Sequence, residues 1–457
     1  MSQPAAPPGG PVVASGVVVP ALRLRGELRL PGDKSISHRA LMLALLARGE
    51  SRILGAGDGA DIRSTAGIVA ALGATVERLG NEGDRVDYRV ESPGAVQLRT
   101  PSETLDCGNS GTSLRLFAGI LAGLPMTATL DGDDSLRRRP VARIIEPLRA
   151  MGATLTARDN DSFPPLTVTG RGTPATIDWT TPVPSAQVKS AILLAGLRAD
   201  GITRVRELVA TRDHTERMLR VRGVAVRSAS DGGGGAVIEI EGGSAVAAMN
   251  ERVPGDPSAA AFWLVAAAIH PDARITLHGV GANPTRRGLL ELLARMGAMI
   301  DERPLETLEG RPDGEGEPVS DFTVGSAELR GIDVSPSDVA GAIDEIPILC
   351  LAATQARGRT TIRGAGELRH KESDRLVGIV AGLTALGASV RAEDDGLMID
   401  GPTPLTGAET ASLGDHRLAM TFAIAGLIAS GRTTIDQPMS ASVSYPAFFH
   451  DLERIRA

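Results

Sequence analysis

Six times along the chain, a small polar or Gly-rich entry leads into an apolar, Ala- and Leu-rich stretch of about three helical turns. The stretches open at Ser37, Gly111, Ser185, Ser258, Asp344 and Asp415, at intervals of roughly 70–85 residues. That spacing is longer than solenoid periods. A helix apolar nearly all round predicts deep burial. A Gly-containing turn and a β-rich segment follow each one. A second pattern accompanies several copies: a helix ending in Leu72-Gly73-Ala74, Met151-Gly152-Ala153, Met296-Gly297-Ala298 or Leu386-Gly387-Ala388. Glycine suits the position just past a helix, where φ is positive. The alternation that follows, as in Thr75-Val76-Glu77-Arg78, predicts a half-buried strand.

Each repeat therefore predicts two helices and several strands, and six repeats predict an α/β chain of two domains with three units each. Crossovers are expected near Pro31-Gly32 and from Arg252 to Gly255, the latter inside the turn-forming Val253-Pro254-Gly255-Asp256-Pro257. Residues 33–253 are expected as the first domain, and 21–32 with 254–457 as the second. Residues 1–20, rich in Pro, Ala, Gly and Val, are expected as a disordered tail. They lack the basic segment that opens a signal peptide.

With 457 residues and 42% apolar content, the chain can bury sizeable cores, but aromatics are only 2%. Leu, Ala, Val and Ile must carry the packing. The net charge of −7 argues against nucleic acid as a partner. No apolar run reaches the roughly 18–20 residues of a membrane span. Cys107 and Cys350 form no disulfide framework and no zinc spacing, so no metal is expected and a cytoplasmic location is.

Basic residues recur where the apolar helices begin: Lys34 and Arg39, Arg115, Lys189, and Arg417. Further loops carry Arg137-Arg138-Arg139-Pro140, Arg212 to Glu216, and His370 to Arg375. Helix N-termini offer free N–H groups and a positive dipole end. An acidic chain that repeats cations there predicts a site for a small polyanion. Gly32-Asp33-Lys34-Ser35 imitates the end of a nucleotide-binding loop, but Asp33 interrupts the required Gly-Lys pair.

Nine motifs in order resemble those of the 5-enolpyruvylshikimate-3-phosphate synthase family. They are LPGDKSISHRALMLALLA from Leu30, CGNSGTSLR from Cys107, RRRP from Arg137, SAQVKSAILLAGL from Ser185, RDHTERML from Arg212, NPTRRGL from Asn283, DEIPIL from Asp344, HKESDRL from His370 and GDHRLAM from Gly414. The resemblance implies two inside-out α/β barrels built from six βαβαββ-type units, a monomer, and no cofactor. It implies transfer of the enolpyruvyl group of phosphoenolpyruvate to the 5-hydroxyl of shikimate 3-phosphate. By resemblance, Lys34, Ser35, Arg39, Ser185, Gln187, Arg212, Asp344 and Lys371 contact shikimate 3-phosphate. Lys34, Gly111, Arg139, Gln187, Glu372, Arg375 and Arg417 contact phosphoenolpyruvate. Lys34, Asp344, Glu372 and His416 are the implied catalytic group.

The chemistry accounts for these residue types. Both substrates carry a phosphate and a carboxylate, and guanidinium forks bind such groups bidentately. Addition followed by elimination moves protons at the hydroxyl and at the methylene carbon, work that two carboxylates can share. Asp344 is expected near the hydroxyl and Glu372 near the methylene carbon, although Glu372 also has Arg375 three residues on as an ordinary ion-pair partner. Many members of the family carry a Lys where Val443 stands, so one phosphoenolpyruvate contact is missing or supplied elsewhere. Several motifs resemble the branch tolerant of the inhibitor glyphosate, yet Gly111 lacks the methyl that blocks the inhibitor in that branch. The sister family acting on UDP-N-acetylglucosamine has Lys-Asn in place of Lys34-Ser35 and a loop Cys that residues 131–139 lack. A catalytically silent binding protein of the same fold would be free to lose the carboxylates and clamp arginines that are present.

Overall fold

The six apolar stretches fold as helices Lys34–Leu46, Gly111–Ala122, Ala186–Gly196, Pro257–Ile269, Ile346–Thr354 and His416–Gly426 in a computed structural model that describes residues 16–305 and 316–456. Each is buried over most of its length. Five of them start on a side chain that accepts an N–H of the first turn: Asp33, Ser110, Ser185, Asp256 and Asp415. Small residues let these helices approach closely. A Cβ on Gly119 would collide with the Ala191 carbonyl of the neighbouring helix.

The buried apolar side chains form two separate clusters. One runs from Ile36 to Val253, and the other joins Val18 to Leu30 with Ala259 to Ile455. A lobe is built around each. The second lobe concentrates the scarce aromatics, with Trp263 stacked on Phe448 at 5.2 Å and Phe262, Tyr445 and Phe449 packed around them.

Six sheets match the six repeats. Five have four strands in one order, in which a first strand runs parallel to a longer one, which pairs antiparallel with the last strand of the unit, which in turn pairs with the third. The unit after Pro101 shows the chain order: strand Leu105–Asp106, helix Gly111–Ala122, strand Thr127–Asp131, helix Ala142–Ala150, and strands Thr154–Ala157 and Phe163–Thr169. The turns between helix and strand are made by Gly73, Gly152, Gly297 and Gly387, all with φ between 91° and 111°.

In two of these five sheets the first strand comes from a distant part of the chain. Glu251–Arg252 pairs with Arg48–Gly57 in the first lobe, and Leu24–Arg29 pairs with Ala273–Gly281 in the second. The two crossovers run side by side: Asp33 N–H donates to the Pro254 carbonyl at 2.8 Å, and Asp256 N–H to the Pro31 carbonyl at 2.9 Å.

The sixth sheet has three strands, and Val17–Val18 supplies one of them by pairing with Thr433–Ile435. This corrects the expectation of a tail through Pro20: Val18 is buried over Gly426, where a Cβ would lie 2.9 Å from its own. Residues 1–15 of that expected tail lie outside the described residues. Among the described residues, no helix is long and apolar enough to cross a membrane. Cys107 and Cys350 are buried free thiols.

Candidate active site

The first lobe presents its cations from helix starts and from the loops beside them. Asp33 caps the helix Lys34–Leu46 by accepting the Ile36 N–H, which fixes Lys34 and Ser35 in the first turn. The Lys34 ammonium lies 3.1 Å from Asp61. Arg39, one turn on, is buried and donates to the Ser35 carbonyl (3.0 Å), to Thr215 Oγ1 (2.7 Å) and to Ser190 Oγ (2.9 Å). Ser185 caps the helix Ala186–Gly196 through the Val188 N–H. Gln187 accepts from Arg115 Nη1 at 2.7 Å and donates to Thr112 Oγ1 at 3.0 Å. A Cβ at Gly111 would lie 2.7 Å from Arg115 Nη1 and in ordinary contact, 3.5 Å, with Arg139 Nη1, so the glycine leaves room for the Arg115 guanidinium.

The second lobe supplies the carboxylates. Asp344 stands just ahead of the helix Ile346–Thr354. Its carboxylate has Arg212 Nη2 at 2.8 Å, Lys371 Nζ at 3.5 Å, Arg375 Nη1 at 3.6 Å and Arg417 Nη2 at 4.0 Å. Arg417 Nη1 also donates to the Asp344 carbonyl at 2.7 Å. Glu372 accepts from Arg375 Nη2 at 2.5 Å and faces Arg139 Nη1 at 3.7 Å. Arg375, fully buried, is anchored by Asp415 at 2.8 Å. Arg212 and Arg139 belong to the first lobe, so both carboxylates are clasped from both sides of the cleft. The Arg375–Glu372 pair seen in the sequence exists, but Glu372 lies outside the helix, which begins at Arg375 after its cap Asp374.

The electrostatics follow from this crowding. Burial raises the Asp344 carboxyl, but Lys371, Arg417, Arg212 and Arg375 together pull it well below the ordinary carboxylate range. Burial opposes ionisation of Glu372 in the same way, and the cations Arg375, Arg139 and Lys34 overcome it. Burial also lowers Lys34, but Asp61 and Glu372 outweigh it and leave the ammonium above its ordinary value. His416 is lowered to about 4 by burial, against Asp415 and Glu372. It is neutral near pH 7, and its Nε2 has no partner among the described residues. Burial is the largest cause of the fall of Arg115 to about 9 and of Arg39 to about 10, and neighbouring guanidinium groups add to it.

The structure brings Arg139, Arg212, Asp344, Lys371, Glu372, Arg375 and Arg417 into one network, with Lys34 close enough to shift Glu372 and His416 near the same carboxylate. Gly111 and Gln187 join through Arg115 and Arg139. Ser35, Arg39 and Ser185 touch none of these carboxylates. Lys189 does not serve the cleft: its ammonium is 1% exposed between Glu216 (2.8 Å) and Glu207 (2.9 Å). It turns into the core between the strand Ile202–Glu207 and the helix His214–Arg220. Arg137 is a surface partner of Asp131. Sequence reasoning missed Asp61, whose place in the first turn of the helix Ala60–Ala71 marks it as an ordinary dipole partner. It also missed the cross-lobe contacts of His214 with Glu317 (2.7 Å) and of Asp213 with Asn283 (2.7 Å).

Residues 18–452 match the family model described as EPSP synthase (3-phosphoshikimate 1-carboxyvinyltransferase). A 3-phosphoshikimate 1-carboxyvinyltransferase of Gloeobacter violaceus is 50% identical over 440 residues, 96% of this chain and 98% of the relative. A protein of that name from Bacillus cereus is 44% identical over 432 residues, 94% and 97% of the two chains. The solved structure of EPSP synthase from Acinetobacter baumannii superposes with a TM-score of 0.83 at 38% identity, covering 96% of this chain and 98% of that one. The chain belongs to the EPSP synthase (3-phosphoshikimate 1-carboxyvinyltransferase) family.

Proposed function

We propose that this chain transfers the enolpyruvyl group of phosphoenolpyruvate to the 5-hydroxyl of shikimate 3-phosphate and releases phosphate. The observation that carries the reading is the Asp344 carboxylate held among four cations drawn from two lobes. Such a cleft suits two substrates that each bring a phosphate and a carboxylate. Arg212 and Lys371, with Lys34, Ser35, Ser185 and Gln187, take shikimate 3-phosphate, and Arg39 acts by holding the Ser35 carbonyl. Arg139, Arg375, Arg417 and Lys34 take phosphoenolpyruvate beside Gly111.

In the free protein Glu372 is ionised, because the cations around it outweigh burial. The anionic groups of bound phosphoenolpyruvate offset those cations and leave burial dominant, so Glu372 takes up the proton that it then gives to the methylene carbon. The anionic groups of the bound substrates likewise offset the cations around Asp344, and the 5-hydroxyl oxygen bonds to the adjacent carbon as its proton passes to that carboxylate. Elimination returns a proton from the new methyl group to Glu372, and the proton held by Asp344 leaves with the expelled phosphate, so both carboxylates regain their starting forms. Neutral His416 completes the wall beside Glu372 without adding charge.

Residues 33–253 form one domain in this reading, and 21–32 with 254–457 the other. The two apolar clusters and the paired crossovers support that division. The chain works as a monomer in the cytoplasm, needs no cofactor, and takes glyphosate in the phosphoenolpyruvate position. Mixing purified protein with both substrates should release one phosphate per enolpyruvyl group transferred. Phosphate release that does not require shikimate 3-phosphate, or none at all, would overturn the reading.

A further inference from the structure

Arg286 ends the short turn Pro284–Arg286 of the second lobe, and its side chain is 4% exposed. It sits among three carboxylates. Its nitrogens lie 3.4 Å from Asp33 Oδ2, 3.4 Å from Asp256 Oδ1 and 3.9 Å from Glu345 Oε1, with Ser258 Oγ at 2.7 Å. Ser258 in turn donates to Glu345. A buried carboxylate stripped of its partner is strongly unfavourable. Here one guanidinium serves three.

Those three carboxylates are not scattered. Asp33 and Asp256 occupy the two crossovers between the lobes, and Glu345 follows Asp344 in the chain. Asp33 caps the helix that Lys34 opens, and Asp256 Oδ2 accepts the Lys34 N–H at 3.1 Å. On the other side, Glu345 Oε1 lies 3.8 Å from Arg417 Nη1, which also holds the Asp344 carbonyl. The guanidinium is thus one residue removed from Lys34 and one from Asp344. Burial and Asp256 already raise the Asp33 carboxyl, and Arg286 is the largest influence opposing them.

We infer that Arg286 is a positioning residue: its guanidinium ties the crossover ahead of Lys34 to the turn behind Asp344, and so sets the spacing between the two sides of the cleft. The inference rests on the enolpyruvyl-transfer reading of that cleft. Arg286 does not touch the reacting atoms. It acts through Asp33, Asp256 and Glu345, and small misplacements of reacting groups cost rate out of proportion to their size.

The test compares full-length wild type with Arg286→Lys, Arg286→Gln, Glu345→Gln and the Arg286→Gln/Glu345→Gln pair. Steady-state kinetics across pH are measured on the same samples as far-UV circular dichroism and unfolding midpoints. Arg286→Gln should lower kcat about 100-fold per folded molecule, with KM for shikimate 3-phosphate changed less than about threefold. Arg286→Lys keeps the charge without the planar fork and should recover part of the loss. The acid limb of kcat should move to higher pH in Arg286→Gln. Asp33 and Asp256 then lose the guanidinium that lies 3.4 Å from each, while Glu345 keeps Arg417 at 3.8 Å. Glu345→Gln should restore part of kcat in the Gln background, because it removes one of the three acids crowded around the lost guanidinium.

Variants that lose stability but keep wild-type kcat and acid limb per folded molecule would overturn the inference. So would a rise in KM at unchanged kcat. If Arg286→Gln does not fold, Arg286→Lys decides alone, with unchanged kcat the contrary result. Wild type that releases no phosphate would sink both readings, whereas active wild type with unaffected variants sinks only the positioning role.

Discussion

Two buried charge clusters in this molecule have opposite compositions. Around Lys189 a single ammonium lies between two carboxylates, all of them 1% exposed. Around Asp344 a single carboxylate, 18% exposed, lies among four cations, two of which, Arg212 and Lys371, are 24% and 28% exposed. Both clusters use residues at the starts of apolar helices and look alike in sequence. The first closes on itself and leaves nothing for a ligand. In the second, Arg212 and Lys371 share Asp344 and stay partly exposed at the cleft, while Arg375 also has Asp415 and Glu372, and Arg417 also has Glu345. Stoichiometry and access, more than the presence of a Lys or Arg, separate a structural ion cluster from a site for anions.

The largest expected effect is at the second cluster's neighbour. Glu372→Gln keeps the shape of the side chain and removes its proton chemistry, so kcat should fall about 10²–10⁴-fold. Binding of shikimate 3-phosphate should change little, and unchanged kcat would remove Glu372 from the mechanism. At the closed cluster, Lys189→Met leaves Glu207 and Glu216 buried without their cation. It should cost about 3–5 kcal/mol of stability, read as a lower denaturant midpoint at constant slope, while KM for both substrates stays at the wild-type value in the folded protein. A midpoint that does not move would show that the cluster is better solvated than its burial implies.

The smallest expected effect is at Gly111. A methyl there meets Arg115 Nη1 at 2.7 Å and Arg139 Nη1 at 3.5 Å, and overpacking of this kind costs about 1–3 kcal/mol. The longer glyphosate should suffer more than phosphoenolpyruvate, so Gly111→Ala should raise the ratio of the glyphosate Ki to KM for phosphoenolpyruvate. A ratio that is unchanged or lower would mean that Arg115 yields and the pocket keeps its length.

Much of the scaffold was legible because it is written locally. The six apolar helices, the glycines at 73, 152, 297 and 387, and the turn at 253–257 each follow from a few consecutive residues. Strands such as Leu105–Asp106 and Glu251–Arg252 are only two residues long, too short for any alternation to show. Val17–Val18 lay hidden in a Pro- and Gly-rich segment because its partner, Thr433–Ile435, is some four hundred residues away.

The candidate site was legible as a set of residue types, through motifs and their order, but not as a wiring diagram. Nothing near Lys189 in sequence announces Glu207 and Glu216 as its partners, and nothing near Lys34 announces Asp61. The pairing of Arg212 with Asp344 spans 132 residues and two lobes. Arg286 stands in a motif that the sequence shows, but its partners are three acids that only the crossovers bring together.

The most direct test of the contrast between the clusters is a calorimetric titration of shikimate 3-phosphate into wild type, Arg212→Ala and Lys189→Met. Hydrogen bonds to charged groups are worth about 1.5–3 kcal/mol, so Arg212→Ala should weaken binding roughly 10- to 100-fold, while Lys189→Met binds within about twofold of wild type. Equal affinity in wild type and Arg212→Ala, or a loss confined to Lys189→Met, would contradict the account.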